Sequence, residues 1–118
     1  MEALNIEHSP MGITKELSES GELVIKVVGD MDAQGCKVLK PIIQNMFNDL
    51  EGDSVVLNLF DVSFLDSSGI GAIVFMFKRL KADNKHFEIT GVHGQPKEIL
   101  KLLRVDKVIS IKTMNVNV

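Results

Sequence analysis

Residues 60–74, FDVSFLDSSGIGAIV, set Asp66, Ser67, Ser68, Gly69 and Gly71 between an apolar run of strand character and an apolar run of helix character. Residues of these types can act as a nucleophile, a phosphate-binding turn, a phosphate acceptor or a helix cap. The nucleophile elbow of hydrolases reads G-x-S-x-G, and here the leading glycine is missing. His8, His86 and His93 could supply a base, but none stands in a triad signature. A phosphate-binding loop of the G-x-x-x-x-G-K-[ST] type needs a lysine after its second glycine, and Ala72 follows Gly71. A nucleophile is thus the poorer fit, and two readings suit the residues better. Asp66, Ser67 and Ser68 are all good caps for a helix starting near Ser67 or Ser68, where backbone N–H groups lack internal partners. A serine in that first turn is also a suitable phosphate acceptor, because its hydroxyl lies on the surface at the positive end of the helix dipole. The added charge of about −1.5 to −2 beside Asp66 would repel a partner packed over the turn, so modification would switch docking and spare the fold.

The rest of the chain bounds what this turn can serve. At 118 residues with 45% hydrophobic content, the chain is expected to form one domain with an ordinary core. A formal charge of −3 and an isoelectric point near 5.5 argue against nucleic acid or an anionic membrane as partner, since both require a basic surface. No apolar run reaches the roughly 18 to 20 residues of a membrane-spanning helix, so no direct membrane insertion is expected. Cys36 is the single cysteine and has no metal-ligand spacing around it, which makes it a packing residue on a helix. No secretory leader is evident, and a cytoplasmic protein without metal or cofactor is expected.

The turn must be positioned by the elements around it. Residues 1–10, MEALNIEHSP, show no period and read as a loose arm, with the fold starting near Met11. ITKELSESGELVIKVVGDMD reads as two strands joined at Ser18 to Gly21 in a hairpin. From Ala33 to about Leu50, Val38, Ile42, Ile43, Met46, Phe47 and Leu50 recur at helical spacing, with Asp32 as N-cap. Pro41 in that stretch predicts a kink or a late helix start near Lys40. SVVLNLFDVSFL suits a central strand covered on both faces. Beyond the turn, Ile70, Ile73, Val74, Phe77 and Leu80 fall on one helical stripe, with Lys78, Arg79 and Lys81 at the negative pole of the dipole. HFEITGV is a strand, QPKEILKLLRVDKVISI a helix buried through Ile99, Leu102 and Leu103, and Val108 to Ile111 a last strand. Strands alternating with helices imply crossovers and parallel neighbours, hence an α/β class with a small mixed sheet carrying helices.

LNLFDVSFLDSSGIGAIVFMFKRLK resembles the signature of the STAS domain, the sulfate transporter and anti-sigma factor antagonist domain, in which a strand runs into D-S-[ST]-G-[ILV] and a helix. GELVIKVVGDMDAQGC is similar to the family's strand followed by G-[DE]-[ILVM]-D, and HFEITGVHGQPKEILKLLRVDKVISI to its last strand and helix. The likeness covers residues 11–111, leaving 112–118 as a polar tail; Pro41, the arm, the tail and LLRVDKV depart from the family pattern. The resemblance implies an anti-sigma factor antagonist that is not an enzyme. Unphosphorylated, such a protein binds an anti-sigma factor with serine kinase activity and frees a sigma factor; phosphorylation blocks the binding and a PP2C-type phosphatase restores it. The acceptor carries over to Ser67, with Ser68 beside it. Asp66 would fix the turn and meet the kinase, Gly69 would permit close approach of the partner backbone, and Asp32 would sit on a loop at the same end of the sheet. The alternatives are a STAS subunit of a lipid-transport complex or a stress-signalling scaffold that binds its partner constitutively, and, in another class, a hydrolase using Ser67.

One expectation comes from helical geometry alone. At about 100° per residue, Phe75 points away from the Ile70, Val74 and Phe77 stripe, with Ala72 and Met76 beside it. These three residues are expected to be partly exposed and to form a docking patch with Ser67 at its rim.

Overall fold

A computed structural model describes residues 11–113. Five strands and three helices alternate in the order β1 (Gly12–Leu17), β2 (Leu23–Val28), α1 (Ala33–Asn48), β3 (Ser54–Asp61), α2 (Ser67–Ala82), β4 (His86–Val92), α3 (Gly94–Leu102) and β5 (Ser110–Thr113). A single 3-10 turn, Val105–Lys107, stands between α3 and β5. The strands lie side by side in chain order. β1 and β2 form the expected antiparallel hairpin, closed by Ser18 N–H to the Glu22 carbonyl and Gly21 N–H to the Ser18 carbonyl. Every later neighbour is parallel, which gives the mixed sheet of an α/β domain.

Alternation along the strands shows where the core lies. Leu23, Ile25 and Val27 of β2, Val55, Leu57 and Leu59 of β3, and Phe87 and Ile89 of β4 are buried. Their alternate neighbours Lys26, Asn58, Glu88 and Thr90 are only partly covered, and Val28 and Phe60 are exposed. The helices therefore cover one face. β3 differs in this from the strand covered on both faces that its apolar run predicts. Its outward Val56 is shielded by flanking side chains, because Val24 and Glu88 share its register, while Asn58 and Phe60 further along look outward. Two ion pairs span that open face, Lys26 to Asp61 at 3.0 Å and Lys112 to Glu88 at 3.1 Å.

The helices pack by rows different from those that periodicity alone suggests. α1 buries Gly35, Leu39, Ile43 and Phe47, a strict four-residue row, and leaves Val38 59% exposed and Ile42 at the surface. It begins at Ala33 and runs unbroken past Pro41, so the late start near Lys40 does not occur. Pro41 cannot donate to the Lys37 carbonyl, but it lies on the exposed side, where water can take that acceptor. α2 buries Gly69, Ile73, Met76 and Leu80. The row keeps Ile73 and Leu80 of the expected stripe, while the stripe's other members, Ile70, Val74 and Phe77, point about 90° away at 100° per residue. Those three residues are half-buried at its flank. Met76 is therefore fully buried, and its expected place in an exposed patch is corrected. α3 buries Pro96 and Leu100, whereas Leu102 and Leu103 are exposed. Arg104 follows with φ 61°, a left-handed turn residue where glycine would be the easier choice. The last strand starts two residues later than expected and takes in Lys112 and Thr113 of the polar tail; the arm, residues 1–10, lies outside the described residues.

These rows make a direct prediction about stability. Met76→Ala, which empties a filled core position, lowers the unfolding free energy by about 2–4 kcal/mol. Val38→Ala changes it by no more than about 0.5 kcal/mol. Urea denaturation of both variants measures the contrast, and equal losses would mean that both helices are rotated from the positions described.

Candidate functional site

The two motifs singled out in the sequence meet at one end of the sheet, beyond the inner strands β2 and β3. β2 and β3 run parallel and end together, so the loops that follow them emerge side by side. Gly29 N–H bonds to the Asp61 carbonyl at 3.1 Å and Met31 N–H to the Phe64 carbonyl at 3.0 Å. Met31 and Leu65 then form an isolated parallel bridge beyond the named strands, closed by Asp66 N–H to the Met31 carbonyl at 3.4 Å. Both side chains are fully buried. The bridge ties the loop before α1 to the loop before α2.

Each loop delivers an aspartate to a helix start. Asp32 Oδ1 accepts from Gly35 N–H at 2.9 Å and caps α1. Asp66 Oδ1 accepts from Ser68 N–H at 2.8 Å and from Gly69 N–H at 3.2 Å and caps α2. A cap of this kind stabilises a helix by about 1 kcal/mol. Both aspartates are thus N-caps, and both occur in the pattern D-x-x-G. The glycine is needed for a steric reason. A Cβ on Gly69 would overlap the Leu65 side chain and lie 2.6 Å from the Met31 carbonyl oxygen; one on Gly35 would lie 3.0 Å from the Asp30 carbonyl oxygen. Gly69 is buried against these loops, so the contact it permits is internal. Ser67 is exposed and Ser68 is half-buried.

Ala72 and Phe75 are half-buried and face α1 across a groove that starts at Ser68. Cys36, Leu39, Lys40 and Ile43 form its other wall, and it encloses about 270 Å³. Lys40 Nζ stands 5.1 Å from the centre of the Phe75 ring, within cation–π range. The thiol of Cys36 in the same groove is pushed up to about 11 by burial and then by the carboxylates of Asp66 and Asp32. It stays protonated at neutral pH and behaves as the packing residue its isolation in the sequence predicts. A larger cleft of about 700 Å³, lined by Leu17, Leu23, Met46 and Leu50 among others, lies at the opposite end of the sheet and contains none of these residues.

Sequence reasoning missed two contributors. Gln95, in the first turn of α3, places its side-chain amide against Leu65: Leu65 N–H donates to Oε1 at 2.9 Å and Nε2 donates to the Leu65 carbonyl at 2.9 Å. Leaving either backbone group unpaired here would cost about 1–3 kcal/mol. His93 holds the Phe60 carbonyl through Nε2 at 2.9 Å and stacks at a tilt on the Phe60 ring, with centroids 5.6 Å apart. Neither contact has a local signature, because each joins residues 30 or more positions apart.

Comparison with known proteins agrees with this arrangement. The STAS domain family matches residues 14–116. The anti-sigma-B factor antagonist of Staphylococcus aureus strain NCTC 8325 / PS 47 is 33% identical over 89 residues, 75% of this chain and 74% of the relative. Among solved structures, an anti-sigma factor antagonist from Mycobacterium paratuberculosis superposes with a TM-score of 0.79 at 20% identity, covering 86% of this chain and 85% of the other. The phosphorylated form of the Bacillus cell fate determinant SpoIIAA superposes with a TM-score of 0.69 at 15% identity, covering 88% and 92%. With a bridged pair of D-x-x-G turns at one end of the sheet and a relative of this similarity, the chain belongs to the STAS-domain anti-sigma factor antagonist family.

Proposed function

We propose that this chain works as a partner switch in the cytoplasm, binding an anti-sigma factor when Ser67 is unmodified and releasing it when Ser67 carries phosphate. The observation that carries this reading is the state of the α2 terminus. Ser67 is exposed, while the carboxylate of Asp66 already holds the Ser68 and Gly69 amides. A phosphate on Ser67 would find those donors taken and a carboxylate beside it. Its charge would then remain unneutralised at the surface, where it repels and desolvates poorly against a docked partner. The name of the Staphylococcus aureus relative describes antagonism of an anti-sigma-B factor, and SpoIIAA exists in a phosphorylated form; both support the reading. In it, Ser67 is a substrate and not a nucleophile. The kinase is the anti-sigma factor itself, and a PP2C-type phosphatase resets the switch.

The partner surface in this proposal combines the turn with the α1–α2 groove. Asp32, Asp66, Ser67 and Ser68 form its rim, and Ala72 and Phe75 its apolar wall. Gly69 acts from beneath by letting α2 approach the Met31 loop. Met76, being in the core, has no part in it.

The deciding experiment is the phosphorylation state of the protein from its native cells, in growing and stressed cultures, by intact mass and phosphopeptide mapping. Phosphate on Ser67 that changes with condition is expected; a permanently unmodified Ser67 would favour constitutive binding in another STAS assembly. With the purified anti-sigma factor, Ser67→Ala should bind like the unmodified protein and accept no phosphate, while Ser67→Glu should bind at least about tenfold more weakly. Phe75→Ala should also raise Kd by about tenfold, the loss of an aromatic anchor, with the thermal midpoint nearly unchanged. Unaltered affinity in calorimetric titration would remove the groove from the interface.

A further inference from the structure

Leu65 has its backbone paired on both sides although it lies beyond the end of β3. On one side the Met31 bridge uses the Phe64 carbonyl and the Asp66 N–H. In a parallel pairing, the N–H and C=O of the residue between them point the other way, toward the next strand. No strand among the described residues meets them: pairing between β3 and β4 stops at Asn58 and Thr90. The side-chain amide of Gln95 takes that place, with one acceptor and one donor at 2.9 Å each, the same pair of groups that a strand peptide presents. A carboxamide carries an acceptor and a donor side by side in one plane without a charge, which a carboxylate ionised at neutral pH does not.

We infer that Gln95 is a positioning residue of the switch turn: its amide extends the sheet by one residue at Leu65 and thereby fixes the backbone from which Asp66 caps α2 and Ser67 is presented. The inference rests on the reading of Ser67 as the regulated residue. It assigns to the α3 terminus, outside both sequence motifs, control over how that serine is displayed. The geometry is directional. Leu65 immediately precedes Asp66, so freedom gained at Leu65 is passed to the carboxylate that holds the Ser68 and Gly69 amides.

Amide hydrogen exchange, read residue by residue by NMR on the full chain, tests the clamp without a partner. Gln95→Leu keeps bulk and removes both hydrogen bonds. Exchange at Leu65, Ser68 and Gly69 is expected to accelerate at least about tenfold, with Ile25, Leu57 and Ile89 in the sheet centre unchanged. A role in general stability would instead speed all of them together, and that result, or unchanged protection at the turn, would overturn the inference. Gln95→Glu supplies a signature that packing cannot imitate. Its ionised carboxylate can accept from Leu65 N–H but opposes the Leu65 carbonyl, whereas the protonated acid again carries a donor. Turn protection in this variant is therefore expected to recover as pH falls through the carboxyl titration. The wild-type profile controls for Asp66 on the turn and for Glu98 and Lys101, which share the surface of α3 with Gln95. Absence of recovery would overturn the inference.

A binding measurement on the same variants separates it from the function proposed above. Wild-type chain that binds no anti-sigma factor overturns that function, and the exchange pattern then decides the clamp alone. Wild-type binding with an unchanged Kd for Gln95→Leu, despite fast turn amides, overturns the role of Gln95 in presenting Ser67. Both readings stand together if Kd rises at least about fivefold as the turn loosens.

Discussion

A peptide group taken out of water needs partners on each side, and at Leu65 this requirement governs the end of the sheet where the two capped turns lie. Its side chain is part of the core, so the backbone around it cannot move outward to find solvent. Met31 meets the chain on one flank and Gln95 on the other. Once these contacts hold, Asp66 arrives beside the first amides of α2, and the helix can start only there. The missing side chain of Gly69 allows that start to press against Met31 and Leu65. The exposed serine thus follows a chain of contacts that runs from the buried Leu65 to the half-buried Asp66.

The architecture separates what is stable from what is displayed. Strands β2 to β5 step across the sheet in one direction, and crossovers of one hand stepping the same way leave their helices on the same face. The core therefore lies on that face alone. The loops after β2 and β3 gather at its edge, and the open face is dressed with charged pairs and partly covered polar residues. In the proposed switch the charge is added at an exposed residue that belongs to neither buried row of α1 or α2, which is what a modification that spares the fold requires.

Much of this was legible from local signals. The hairpin, the alternation of strands and helices, the two aspartate caps and the family likeness all rest on residues close in sequence. The facing of the helices was harder to read. α2 is apolar nearly all round, with Ile70, Ala72, Ile73, Val74, Phe75, Met76 and Phe77 in one run, so its period does not choose between one side and the next. The neighbours chose: close packing at Gly69 set the rotation and carried Met76 inward. In α1 the four-residue row through Gly35 prevailed over the larger Val38 and Ile42, where the helix start lies close against Asp30 and Met11 and a Cβ would be crowded. Gln95 was illegible for a different reason, since a contact across 30 residues leaves no trace in spacing.

The two turns at this end of the sheet are nearly the same object built twice. Each has an aspartate cap, two intervening residues and a glycine pressed against neighbouring chain. In one the intervening residues are Ala33 and Gln34, and in the other Ser67 and Ser68. On the proposed reading, what separates a silent turn from an addressable one is the hydroxyl of Ser67, where the other turn has Ala33. A scaffold organised this way can pass between regulated and permanent forms of itself by one codon, with no part of its folding instructions rewritten.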